Sequence, residues 1–317
     1  MADASISVDL FNPGQVFACL GFLEAADVLL GEAEGGFDWT NEANVQFQMR
    51  TIGASNPFAV VLEFLAQAET KRWGPIGYSD TQADKGENTA DDGETEAGAT
   101  SNTRTAPLEL SETFPAAKGE RLELPIRLDG KSHPVIALGH WADGSSRETF
   151  KLYSGNRSAD GIARAMLLGV RHKAKKKETI ESLKTKGIAQ LWQEQRDAMV
   201  ERPFDVLTPM GGSFNFDPRG AWTAIDAGYS PNNQQHQVAA SPVVEFLAAW
   251  GLEHARPYEF ETRKVRYSAW GLHLSPMLAR AALIGAITFY PRKYFRFELA
   301  MSGKNKVVNF ANEETRP

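Results

Sequence analysis

Val16, Leu20, Leu23 and Leu30 recur at helical spacing and predict a helix with one apolar face. Asn12 supplies an N-cap oxygen, and Pro13 sits in the first helical position, where its missing N–H costs nothing. The GEAEGG turn from Gly31 ends this helix, and the weakly alternating ISVDLF at 6–11 predicts a strand before it. NVQFQMRTI at 44–52 sets Val45, Phe47 and Met49 against Gln46, Gln48 and Arg50, the pattern of a half-buried strand. A second Asn-Pro start opens a helix over 56–69, with Phe58, Val61, Leu62 and Leu65 on its buried stripe.

Residues 79–107 interrupt these patterns, for SDTQADKGENTADDGETEAGATSNTRT carries no large aliphatic or aromatic side chain. Such a stretch cannot bury enough apolar surface to offset its ordering entropy, so a disordered acidic insertion is expected. Strand-like runs resume with LELS and RLELPIRLDGKSHPVIALGHW, turning at Asp129-Gly130. Helices are expected from about Asp160 to Arg171 and over TIESLKTKGIAQLWQEQR, then a loop-rich stretch at 205–241 with one short strand near SFNF. SPVVEFLAAWGLEHARP reads as a helix, YEFETRKVRYSAW as a long strand, SPMLARAALIGA as a helix and ITFYPRKYFRFELAM as a strand or hairpin. The fold class this implies is α+β, in a layered fold. It has an N-terminal β-α-β-α lobe (1–78), the insertion (79–107) and a main lobe (108–317) with basic faces.

Charge sharpens that division. The chain carries 40 acidic and 34 basic side chains in 317 residues, a net charge of −6. The window Asp80–Glu96 alone holds seven acids and one lysine, so the remainder is neutral and an acidic pI does not exclude a nucleic-acid partner. One cysteine, Cys19, precludes an internal disulfide and four-thiolate metal sites, and reads as a small buried hydrophobe. MADASISVDL lacks the pattern of a signal peptide, and AALIGAITFY at 281–290 is shorter than the ~20 residues a bilayer needs. A soluble cytoplasmic protein without a membrane partner is expected.

No phosphate-binding glycine loop, nucleophile elbow or zinc-helix motif occurs, and the six histidines lack ligand spacing. No catalytic residue, cofactor or metal is therefore expected. His140 and His236 fall near strand ends or loops and could serve as general bases in metal-independent RNA cleavage, the alternative from the enzyme class.

Basic blocks carry more information. Arg171, Lys173, Lys175, Lys176 and Lys177 follow one another without an acid, the pattern of a polyanion contact or of a solvated helix end. Lys264, Arg266, Arg292, Lys293 and Arg296 lie in a second block interleaved with tyrosines and phenylalanines, a combination suited to phosphates and unstacked bases. Asn232, Asn233, Gln234 and Gln235 form an uncharged amide loop of a kind that can read base edges, though such residues are also ordinary loop material.

Two strings carry a resemblance: NPGQVFACLGFLEAADVLL at 12–30, and GGSFNFDPRGAWTAIDAGYSPN at 211–232 continued by VAASPVVEFLAAWGLEHARP at 238–257. Covering about a fifth of the chain, they resemble the CRISPR-associated proteins of type I-G (formerly I-U) systems, in particular the large subunit of the Cascade complex. The resemblance implies a non-catalytic subunit of an RNA-guided antiviral DNA surveillance complex. Its partners would be other Cascade subunits, guide RNA, target DNA and the helicase-nuclease that it helps recruit. The ten basic residues above would then contact nucleic acid, and the amide loop would read a flanking motif. A guide-RNA-binding backbone subunit of the same system is the neighbouring alternative.

Overall fold

The computed structural model describes residues 2–53, 56–75, 94–96, 105–108, 126–130, 136–139, 150–153, 159–172, 183–210, 212–220, 238–287, 289–302 and 305–315. Their arrangement is mixed α+β, with several small sheets around a pair of central helices.

Helix α1 spans Pro13–Leu30 and starts as its sequence dictates: Asn12 Oδ1 accepts the Gln15 N–H at 3.2 Å. It ends at Gly31, whose φ of 79° is the left-handed conformation that glycine adopts without a Cβ penalty. The single apolar face expected of it is too narrow a description, since every residue from Pro13 to Ala26 is buried. By length and composition α1 could cross a bilayer, yet 78% of it is enclosed by packed protein, so here it is the core helix.

Enclosure on every side depends on α6, Pro242–Gly251, which Ser241 caps. A Cβ on Gly21 would stand 2.0 Å from the Leu247 carbonyl oxygen, and one on Gly251 would stand 2.2 Å from that of Phe17. The two backbones touch where neither helix has a side chain. α2, Pro57–Gln67, repeats the Asn-Pro start, with Asn56 accepting from Ala59 N–H at 3.1 Å.

Two antiparallel sheets flank these helices. In the first, β1 (Ala2–Ser7), β2 (Glu34–Asp38) and β3 (Gln46–Thr51) run in the order β1-β3-β2, and Phe47 faces both Ile6 and Phe37 across the ladders. β2 occupies part of the expected GEAEGG turn. Its glycines let the strand approach a neighbouring backbone, for a Cβ on Gly36 would lie 2.2 Å from the Leu272 carbonyl oxygen. The second sheet joins β13 (Tyr258–Glu261), β14 (Lys264–Trp270), β15 (Arg292–Ser302) and β16 (Asn305–Val308), with β17 (Asn312–Glu314) also paired to β15. Tyr267, Phe295 and Phe297 of this sheet pack on Phe17 or on one another, and the Tyr267 hydroxyl donates to the Leu10 carbonyl at 2.6 Å. One hydrophobic core thus runs from the N-terminal residues into the last strands.

The remaining described elements are short. β4 (Glu69–Pro75) lies between β6 (Thr105–Leu108) and β7 (Ile126–Asp129), and β8 (Ile136–Leu138) completes that sheet. β7 and β8 are the two arms of the hairpin expected at Asp129-Gly130. β5 (Glu94–Glu96), β9 (Val170–His172) and β10 (Leu183–Thr185) form another sheet, and β11 (Thr208–Pro209) pairs with β12 (Ala239–Ala240). β5 and β6 fall within or at the edge of the expected insertion, whose other residues lie outside those described.

Several expectations need correction. The helix placed at 160–171 is α3, Ala159–Leu168; Gly169 turns the chain at φ 76°, and Arg171 belongs to a strand. The helix placed at 179–196 is instead β10 followed by α4 (Ile188–Glu194) and α5 (Arg196–Glu201). No strand forms among the described residues at SFNF, where Asn215 takes a φ of 66°. The long strand at 258–270 is a hairpin, broken where Arg263 adopts a φ of 62°. α7, Pro276–Leu283, and β15 follow their patterns.

Candidate nucleic-acid interface

In the β13–β17 sheet, alternation sends Val265, Tyr267, Phe295 and Phe297 inward, so their neighbours in sequence emerge on the opposite face. Register then sets these outward residues side by side. Tyr258 pairs with Arg266, Arg266 with Arg296, and Arg296 with Asn312, a single row across four strands. Beside it Lys264 faces Glu298, Tyr294 faces Glu314, and Arg292 comes two residues before Tyr294.

Ion pairs hold this surface in shape. Arg266 donates to Glu314 from Nε at 2.5 Å and from its second nitrogen at 3.3 Å, and lies 4.3 Å over the Phe260 ring. Arg296 approaches the same carboxylate at 3.7 Å but keeps 57% of its side chain exposed. Lys264 bonds Glu261 at 2.8 Å, while Arg292 covers Tyr294 at 4.9 Å and donates to the Ile287 carbonyl. With Tyr258 63% exposed, the face combines solvent-facing cations with a ring free to stack.

Lys293 does not share this face. The strand turns it the other way, where its ammonium bonds Glu42 at 2.9 Å and approaches Glu313 at 3.4 Å. Glu42 in particular raises its pKa above the ordinary lysine value. Four of the five residues expected in this block are therefore brought together, and the fifth is neutralised elsewhere. Arg171 has its backbone in β9, paired with Leu183 and Thr95. Its side chain, Lys173, Lys175, Lys176, Lys177, the loop Asn232, Asn233, Gln234 and Gln235, and both His140 and His236 lie outside the described residues.

The two family-like strings meet at a buried hub. Asp217, fully buried, accepts from Asn12 Nδ2 at 3.1 Å, from the Ser241 N–H at 3.0 Å and from Arg219 at 2.7 Å. Its carboxylate thus sits where α1 and α6 both begin, the positive end of each helix. Glu245, one turn into α6, accepts the backbone N–H groups of Asp217 at 2.7 Å and Phe216 at 3.3 Å. Burial pushes its carboxyl up to about 8, against the lowering effect of those bonds and helped by the neighbouring Asp217 charge. Sequence reading missed this hub, and the acids at 313–314, because no short-range pattern marks a partner tens or hundreds of residues away.

Among the described residues no three histidine, cysteine or carboxylate side chains gather as a metal site, and Cys19 is buried with its thiol pKa raised by burial. Comparison of the chain with protein-family models, with curated proteins and with solved structures finds no match.

Proposed function

We propose that this protein is a non-catalytic, nucleic-acid-binding subunit of a cytoplasmic RNA-guided DNA surveillance complex, the role implied by the type I-G resemblance. The cross-strand row Tyr258–Arg266–Arg296–Asn312 carries the reading. It sets two guanidinium groups beside an exposed ring, on the outer face of a sheet whose other face is anchored in the core. Phosphates engage the arginines, and an unstacked base lies on Tyr258; single-stranded RNA or a displaced DNA strand suits this geometry better than a closed duplex. The strings of the resemblance also converge on Asp217 and on the α1–α6 crossing, which makes them the frame of the fold. Guide RNA, target DNA, the neighbouring Cascade subunits and the helicase-nuclease are the partners that follow from this role.

The test is titration of the purified chain with single-stranded RNA and DNA over a range of salt. The double variant Arg292→Glu/Arg296→Glu should bind at least tenfold more weakly, with the salt slope shallower by about 0.7 for each phosphate that is no longer neutralised. Tyr258→Ala should weaken single-strand binding by about 1–3 kcal/mol and leave the slope alone. Unchanged affinity and slope in the double variant would overturn the assignment of this face.

A further inference from the structure

A cleft of about 470 Å³ opens beside the end of β1, lined by Asp9, Phe11, Gln15, Asp205 and the Lys293, Glu42 and Glu313 trio. Its character is opposite to that of the sheet face, with four carboxylates and one ammonium. Lys293 is bonded to Glu42 and close to Glu313, so two of the four share its single positive charge. Asp9 gives one oxygen to the Phe11 N–H at 2.9 Å, and the Asp205 carboxylate makes no hydrogen bond or ion pair among the described residues. Two carboxylates therefore remain without a counter-ion among the described residues.

Gln15 adds an independent observation. Only 5% exposed, it takes the Asp9 N–H on Oε1 at 2.8 Å, a bond that fixes which way its amide points. Its Nε2, a two-proton donor, carries no hydrogen bond among the described residues, although Gln15 lines the cleft. Held in this orientation at the cleft wall, the amide presents its N–H groups to an acceptor on a ligand. Phe11, 47% exposed and held edge-on against Phe295 at 5.6 Å, contributes a ring at the wall.

We infer that this cleft receives an arginine or lysine residue of a partner polypeptide, its cationic head against Asp9 and Asp205 and a backbone carbonyl on Gln15 Nε2. The Phe11 ring favours a guanidinium or ammonium placed over it. A phosphate or other anion would meet uncompensated carboxylates, so this site is separate from the nucleic-acid face and does not depend on it. The volume admits a long side chain with a piece of its backbone.

Calorimetry on the full chain tests this with three probes: N-acetyl-arginine amide, its neutral isostere N-acetyl-citrulline amide, and butylguanidinium, which keeps the cation and lacks the carbonyls. The arginine amide should bind tightest, with each of the other two about tenfold weaker. Asp205→Asn, an exposed change that leaves folding intact, should weaken the arginine amide several-fold and leave the citrulline compound unaffected. Gln15→Glu should reverse the preference between the arginine amide and butylguanidinium. Equal binding of the arginine and citrulline compounds would overturn the cation assignment, as would an unaltered affinity in Asp205→Asn. Butylguanidinium binding as tightly as the arginine amide would overturn the Gln15 assignment.

Discussion

Arg219 and Arg266 each grip a carboxylate, but Asp217 lies wholly buried between two helix starts, whereas Glu314 lies at the edge of an open sheet face. Around Asp217 the other donors, Asn12 Nδ2 and the Ser241 N–H, are fixed by the helices they begin. Around Glu314 two arginines from adjacent strands share one acceptor, and the more distant of them is over half exposed. The same pairing chemistry closes a site in the interior and leaves spare cationic capacity at the surface. Burial and the number of fixed donors make the difference.

The sharpest way to break the interior site is through pH. In the native chain Glu245 keeps its proton up to about 8, while in the unfolded chain it releases it near 4.5. Between those values the unfolded state binds fewer protons, so stability falls as pH rises and levels off above 8. Glu245→Gln removes this dependence. Beyond the constant cost of the acceptor oxygen it loses, its stability relative to the parent in urea unfolding should rise by roughly 4–5 kcal/mol between pH 4.5 and pH 8. A difference that stays flat across the range would remove Glu245 from the account. Next in size, Asp217→Asn leaves Arg219 without its counter-ion and should cost about 3–5 kcal/mol at neutral pH. A loss under about 1 kcal/mol would mean that the hub is no more demanding than the surface pair. The smallest effect belongs to Glu314→Gln, which should cost within about 1 kcal/mol of stability. It should also strengthen single-stranded RNA binding by releasing Arg266 and Arg296, and weakened binding would show instead that Glu314 orients them.

The starts of α1, α2, α6 and α7 were legible because Asn-Pro and Ser-Pro act within a few residues. β2 was hidden because Glu-Gly-Gly-Phe reads as a turn until Leu272 and Phe47 close against its glycines. The break at Arg263 depends on a positive φ that no glycine announces. At the candidate interface the cations themselves were legible, and so was one detail that a basic-block reading passes over. In a strand, residues 292, 294 and 296 share a face that 293 does not, which is why Lys293 serves the acidic cleft. What alternation cannot supply is the partner: Glu314 reaches Arg266 across 48 positions, and Asn12 reaches Asp217 across 205.

The glycine contact between α1 and α6 also has a timetable. Helix α1 ends at Leu30, and the helix whose backbone covers Gly21 ends at Gly251. At about 5–20 residues per second, a ribosome needs roughly 10–45 seconds to make the chain between those points. For that interval a segment apolar and long enough to resemble a membrane span has no α6 to pack against. The same crossing that seals the finished core thus cannot form until most of the chain has been made.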